Sequence, residues 1–326
     1  VKVMSENKNV WIFSENQELA AKLLAKGSEL ADQLQTRLVA LLIGHGVESR
    51  AKELISYGAD EVLVADHPQL ETFCPDAYLG VLTNLVKEHK PEILLVGSTR
   101  RGKELAARLA TRLNAGCIPN CDNLRINKQG QLLTERIVYG GNASAVQIFL
   151  TKPQIVCVST GVAEKPKPTD KKGEIIKTDI SQIDSPRTEI VETKPIEACA
   201  IKIEEARVVV VGGRGIEKKD DFQILENLAL VLGGQPGYTR PLAEDRKWFK
   251  GDWVGLSGHR VKPELYIGCG NAGVIQHLAG IRDSKIIVAI NKDSEAPIFE
   301  IADYIVVGNL YEIVPALTTA LKKLKE

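Results

Sequence analysis

Residues 269–281 read CGNAGVIQHLAGI and bring two kinds of chemistry into one short segment. Their glycines let the backbone approach a ligand where a side chain would not. The pattern that follows is helical, so the segment starts a helix whose free N–H groups and positive dipole end can seat a phosphate. His277 lies in the same helix, within reach of the head group of such a ligand. A histidine there is either structural or tunes charge near the ligand.

Other segments offer matching groups. VVVVGGRG ends with Gly212, Gly213 and Gly215 around Arg214. It is neither a G-x-G-x-x-G fingerprint nor a P-loop, but a guanidinium at a strand end can meet a phosphate or a planar ring. GYTRPLAED sets Thr239 and Arg240 before Pro241. The proline predicts an extended backbone at Arg240, and a fixed cation beside a redox ring stabilises its reduced, anionic form. WVGLSGHRV supplies Gly255 and Gly258 for close backbone approach and the Ser257 hydroxyl for hydrogen bonding. Asn291 in AINKD and Asn309 in VVGNL end strands, where an amide either bonds an adenosine moiety or makes a turn.

Several classes of function are excluded. Histidines are not spaced for a metal, and no serine–histidine–acid order is present. The six cysteines form no C-x-x-C pair and read as free thiols of a reducing compartment. Lys+Arg and Asp+Glu are both 42, which argues against a nucleic-acid-binding protein. No apolar run reaches the roughly 18 residues of a membrane span, and VKVMSENKNVWIF does not read as a secretory signal. A cytoplasmic location is expected.

These groups need a scaffold. The 326 residues, 44% of them hydrophobic, suffice for two domains. Strand-like runs at 9–13, 38–44, 60–66 and 92–98 alternate with helical patterns at 17–34, 49–59, 76–90 and 102–114. This alternation predicts an open parallel sheet with helices on both faces. Residues 123–161 lose helical periodicity and predict antiparallel strands on the sheet edge, with a turn at Gln129–Gly130. The stretch from 163 to 206 reads as a strand or two and a linker.

A second alternation begins at Arg207. Its strands deliver loops at Gly212, Cys269, Asn291 and Gly308, and its helices include one at 220–233, capped by Asp220 or Asp221, and one at 310–325 that contains Pro315. Such loops line one edge of a doubly wound sheet, where ligands bind. The expected architecture is α/β: two doubly wound domains, 1–195 with antiparallel edge additions and 196–326 with the Rossmann-like ligand site.

Taken in order, GGRG, TRP, VGLSG and ELYIGCGNAGVIQHLAGIRDSKIIVAINKDSEAPIFEIADYIVVGNLYEIVPAL closely resemble the α subunit of electron transfer flavoproteins. GSTRRGKELAARLATRL and ERIVYGGNA resemble that family's N-terminal segments, so the resemblance spans nearly the whole chain. It implies one FAD in the C-terminal domain and a heterodimer with a β subunit, on which the N-terminal domain packs. It implies an electron carrier, not an enzyme by itself, between NADH or an acyl-CoA dehydrogenase-type protein and a quinone- or ferredoxin-type acceptor.

Carried over position by position, the FAD contacts are Arg214, Thr239, Arg240, Val254, Gly255, Leu256, Ser257, Ala272, Gly273, Val274, Ile275, Gln276, His277, Asn291, Asn309 and Leu310. Arg240 would sit by the isoalloxazine, His277 near its pyrimidine end in support of the same negative charge, and Ser257 near N5. The chain departs from the family pattern at Thr239, Leu256–Ser257, Ala272 and Asn309, where the family has serine, Gln-Thr, serine and aspartate. RPLAED and GLSG resemble the Fix-type and electron-bifurcating branches more than the respiratory one. In those branches the β subunit carries a second FAD in place of AMP. A nicotinamide-dependent dehydrogenase and an adenine-nucleotide-binding regulatory module are the alternatives; the first lacks its fingerprint, and the second would bind nucleotide without flavin.

Overall fold

A computed structural model of the chain describes residues 9–139, 143–159, 161–180, 187–188, 190–193, 203–249 and 253–325. The chain divides into two compact units that change over at residues 193/194. The boundary expected at 195/196 lies outside the described residues.

The first unit runs β1 (Val10–Phe13), α1 (Gln17–Leu34), β2 (Leu38–Gly44), α2 (Ala51–Ser56), β3 (Glu61–Asp66), α3 (Pro75–His89), β4 (Ile93–Gly97), α4 (Arg100–Leu113) and β5 (Cys117–Cys121). It continues with β6 (Asn123–Ile126), β7 (Leu132–Val138), β8 (Ala143–Gln147), β9 (Gln154–Val158) and β10 (Glu174–Lys177). A seven-stranded parallel sheet has the order β10-β3-β2-β1-β4-β9-β5. Its central strands are apolar along their whole length, because helices cover both faces and every side chain is buried. Helix α1 turns Leu19, Leu23 and Leu30 into that core, and Asn16 Oδ1 caps it by accepting from Leu19 N at 3.0 Å. Helix α3 starts on Pro75, whose missing N–H costs nothing in a first turn, and ends at a left-handed Lys90 before Pro91.

The expected antiparallel strands are present, but their placement differs in part. Strands β6, β7 and β8 form a sheet of their own. The run QIVCV is not antiparallel but lies inside the main sheet as β9, parallel to β4 and β5. Its unbroken apolar pattern, buried on both faces, suits an internal parallel strand and not a half-exposed edge. The turn at Gln129–Gly130 is present: Asn127 N bonds Gln131 O at 2.9 Å and Gly130 has φ +75°.

The second unit runs β11 (Val208–Gly212), α5 (Gln223–Leu232), β12 (Gln235–Tyr238), α6 (Arg240–Ala243), β13 (Leu265–Cys269), α7 (Ile275–Ile281), β14 (Ile286–Asn291), β15 (Tyr304–Val307) and α8 (Leu310–Lys325). Its five strands are parallel in the order β12-β11-β13-β14-β15. The chain leaves β11 for β12 on one side and reaches β13 on the other. The winding therefore reverses between β11 and β13, whose last residues Gly212 and Cys269 are paired. A doubly wound sheet opens its ligand crevice at that reversal.

Two local expectations need correction. Asp220 and Asp221 do not cap α5, because a 3₁₀ turn over Asp220–Phe222 comes first; Asp221 Oδ2 instead accepts from the Tyr311 hydroxyl at 2.7 Å. The extended residue before Pro241 is Thr239, not Arg240. Arg240 opens α6, where a first-turn proline has no hydrogen bond to lose.

Candidate functional site

The loops at the β11/β13 reversal interlock through backbone contacts. Gly213 N bonds Cys269 O at 2.9 Å, and Gly215 N bonds Gly270 O at 2.8 Å. A β-carbon on Gly213 would lie 2.4 Å from Asn271 Cα, and one on Gly273 would lie 2.4 Å from Ile298 N. Gly273 also has φ +79°, so it needs glycine on two counts. The 253–259 loop joins from the side: Val254 N bonds Tyr238 O at 2.9 Å, and Leu256 N bonds Gln276 O at 2.8 Å. Strand ends, the loop and the start of α7 thus form one continuous backbone surface. At the start of α7 the N–H groups of Ile275 and Gln276 meet no acceptor among the described residues, the ordinary state of a helix start.

Two cations stand on this surface. Arg214 pairs with Asp245 at 3.1 Å and Arg240 with Glu244 at 2.6 Å, both pairs exposed. Exposed pairs of this kind hold weakly and can exchange partners. The Arg240 guanidinium also lies 5.8 Å from the centre of the Trp253 ring. Trp253 Nε1 donates to Ser257 Oγ at 3.1 Å, which leaves the exposed Ser257 hydroxyl its own hydrogen to donate. Beneath them Thr239 is buried, and its Oγ1 has no hydrogen-bond partner among the described residues.

His277 is 5% exposed, so it does not face the site as an open side chain. Its Nδ1 lies 3.1 Å from Val254 O, and its Nε2 lies 2.7 Å from the Tyr266 hydroxyl. A carbonyl can only accept, so Nδ1 carries the proton and Nε2 accepts from Tyr266. Asn271 Nδ2 donates to the Tyr266 hydroxyl at 2.8 Å. Burial pushes the histidine down to about 4 and raises the Tyr266 phenol, so the ring is neutral at pH 7. In this ligand-free arrangement the ring carries no positive charge.

The remaining expected residues sit at the same sheet edge. Asn291 ends β14, donates from Nδ2 to Asn271 O at 3.0 Å and accepts from Asp293 N at 3.0 Å. Asn309 caps α8, its Oδ1 accepting from Tyr311 N at 3.1 Å. Leu310 is buried in the core beneath Gly270, so only its backbone faces outward. Leu256, Val274 and Ile275 are exposed large apolar side chains, Ala272 and Gln276 are exposed, and Val254 and Gly255 are buried.

Sequence reasoning missed Tyr266, Asn271, Trp253, Glu244 and Asp245. Glu244 stands four residues after Arg240, a spacing that signals a pair only once α6 is known. Tyr266 reads as one more apolar strand residue, and Asn271 as a loop residue between glycines.

The donor set fits FAD. An elongated, doubly anionic dinucleotide would meet two cations, the helix-start N–H groups and an unpartnered buried hydroxyl, with glycines keeping the surface clear of β-carbons.

Residues 10–183 match the electron transfer flavoprotein domain, and residues 202–282 match the electron transfer flavoprotein FAD-binding domain. The chain is 41% identical to the electron transfer flavoprotein subunit alpha of Thermoanaerobacterium thermosaccharolyticum, covering 99% of this chain and 100% of that one. It is 38% identical to protein FixB of Clostridium saccharobutylicum over 98% of each chain. It is 34% identical to the acryloyl-CoA reductase electron transfer subunit beta of Anaerotignum propionicum, over 97% of this chain and 96% of that one. No helix among the described residues is long and apolar enough to cross a membrane.

Proposed function

The chain belongs to the electron transfer flavoprotein family as an α subunit, and from that premise we propose how its residues hold FAD and which partners it serves. Bound FAD supplies one- and two-electron redox chemistry, and the protein supplies binding, orientation and field. Arg214 and the N–H groups that open α7 hold the pyrophosphate. Thr239 Oγ1 gains from the ligand the hydrogen bond that it lacks among the described residues. Arg240 lies along the ring edge and favours the negative charge that reduction brings, and Glu244 restrains its guanidinium. Ser257, anchored by Trp253, directs its O–H toward N5. Leu256, Val274 and Ile275 exclude water from the ring, while Asn291, Asn309 and the Leu310 backbone serve the adenosine end.

In the ligand-free chain His277 is a neutral group whose Nδ1–H fixes the Val254 carbonyl, and with it the loop carrying Ser257. Val254 and Gly255 contribute main chain, as do Ala272, Gly273 and Gln276. Neither alternative function is favoured, because FAD-binding-domain similarity and the helix-start site coincide in one unit.

The N-terminal unit packs on the β subunit, and the boundary between the two domains falls at 195/196. The pair carries electrons without catalysing a reaction of its own, from NADH or an acyl-CoA dehydrogenase-type protein to a quinone- or ferredoxin-type acceptor. Supporting the Fix-type and bifurcating branch are the similarity to FixB and to a subunit named for acryloyl-CoA reductase. A second FAD then occupies the β subunit in place of AMP. A cytoplasmic location is supported by the five free cysteines among the described residues.

Full-length similarity joined to the donor set at the sheet reversal carries this reading. Its test is the absorbance spectrum and released-flavin count of the chain co-expressed with its β partner. Two FAD per heterodimer support the site here and the bifurcating branch. One FAD with AMP supports the site and overturns the branch. No flavin overturns the site.

A further inference from the structure

Every hydrogen in the cluster beneath the 253–259 loop has one direction. His277 Nδ1–H points at Val254 O, Tyr266 O–H at His277 Nε2, and Asn271 Nδ2 at the Tyr266 oxygen. Asn271 Nδ2 also lies 3.2 Å from His277 Nε2. The other end of that amide is unsatisfied: Asn271 is 3% exposed, and its Oδ1 has no partner among the described residues. No described group at that end holds the amide in one orientation, so either orientation leaves one end unpaired and neither is favoured there. Reversing the Asn271 amide would bring Oδ1 onto the same two positions, within reach of both the Tyr266 hydroxyl and Nε2. Oδ1 would accept from both, so His277 could hold a second proton on Nε2, while the NH2 end takes the place where Oδ1 now stands without a partner.

The space for reversal comes from Gly268. A β-carbon there would lie 2.9 Å from Asn271 Oδ1 and 3.0 Å from Nδ2. No charged group is among the causes that set the His277 protonation. The titratable groups nearby are Tyr266 and Cys269 of β13, both pushed up by burial, and His259 of the loop, which pairs with Glu204 at 2.6 Å. The histidine is held neutral by desolvation, opposed by its bond to Val254. A negative charge arriving in the site would act against that desolvation and favour the charged ring.

We propose that Tyr266 and Asn271 are positioning residues forming a reversible hydrogen-bond relay that sets the protonation of His277. With Asn271 Nδ2 turned toward Tyr266 the imidazole is neutral. With Oδ1 turned inward it is an imidazolium, populated when reduction places negative charge on the bound flavin. The proton gained comes from water, and Tyr266 keeps its own, turning it from Nε2 to Asn271 Oδ1. This rests on the FAD reading for its trigger, but not for the relay itself.

The test is long-range ¹H–¹⁵N correlation of histidine-labelled heterodimer at pH 7, oxidised and after full reduction with dithionite. Expected for the oxidised wild type is a neutral ring with the proton on Nδ1, and for the reduced wild type a doubly protonated ring. Asn271→Leu, which offers no acceptor, keeps His277 neutral in both states. Asn271→Asp, a fixed acceptor, makes it doubly protonated in both. An Nε2–H tautomer in the oxidised wild type, a neutral ring after reduction, or Asn271→Leu protonating like wild type would overturn the proposal. If the preparation binds no flavin, wild type against Asn271→Asp still reads the relay: a doubly protonated ring in the variant alone supports it, and a neutral ring in both refutes it.

Discussion

Gly273→Ala is the sharpest perturbation of the site. The residue has φ +79°, and a β-carbon in the left-handed region costs about 1–2 kcal/mol. That carbon would also lie 2.4 Å from Ile298 N, 2.5 Å from Ile298 Cα and 2.6 Å from Ile298 Cβ. Two of these atoms are backbone, and Ile298 N is held by Ala272 O at 3.1 Å, so they yield only if the loop moves. Forced overpacking adds about 1–3 kcal/mol. The ligand-free loop relieves this by shifting, and FAD must then restore the shape on binding. An expected loss of at least ~2 kcal/mol is roughly 30-fold in Kd.

Gly46→Ala is the control. Gly46 has φ +64° and nothing within 4 Å of a built β-carbon, so it carries the strain without the clash and lies in the other unit. Flavin-fluorescence titration of deflavinated heterodimer, with thermal unfolding alongside, measures both. Wild-type FAD affinity in Gly273→Ala, or an equal loss of affinity in Gly46→Ala, would refute the reasoning.

Thr239→Val removes a buried hydroxyl that has no partner among the described residues; it should leave thermal stability equal or higher while weakening FAD, and Thr239→Ser should restore binding. Arg240→Ala should lower the flavin midpoint potential, whereas Glu244→Gln, which frees Arg240 from its counter-ion, should raise it; shifts in one direction in spectroelectrochemical titration would sink this. His277 is pushed down to about 4 from 6.5, so below pH 6.5 the unfolded chain binds a proton that the ligand-free native chain refuses. Stability is then fully present above pH 6.5 and falls by up to roughly 3 kcal/mol as the pH drops toward 4. Denaturant titrations across that window should show the slope in wild type and a flatter one in His277→Gln.

Most of the scaffold could be read from apolar periodicity. The spans of α1, β2 and α8 were each expected at their observed residues, because long amphipathic or fully apolar runs state their own period. Strands β5 and β12 were not foreseen. They are short and contain Pro119 and Pro236, residues that read as breakers unless tertiary pairing overrides them. Gly273, Arg214 and Arg240 could be picked out by type and spacing, and the structure brings them to one sheet edge. The site was not legible where a role depends on which way a side chain's hydrogens point. Nothing in YIGCGNAGVIQH says that Tyr266, Asn271 and His277 share one chain of hydrogen bonds, since strand, loop and helix must first meet.

The placement of β9 bears on how the chain comes off the ribosome. Residues 117–121 emerge well before residues 154–158, yet β5 joins the large sheet only through β9. The last strand on that side therefore has no berth until the intervening hairpins have been synthesised and β9 has docked on β4. On the opposite side β10 arrives later still, to pair with β3. The nascent sheet grows outward from β1, with β4 as an open border throughout, and closing that border requires contacts distant in sequence, which form slowly. A ribosome pausing between β5 and β9 would leave the β4 edge without its partner strand.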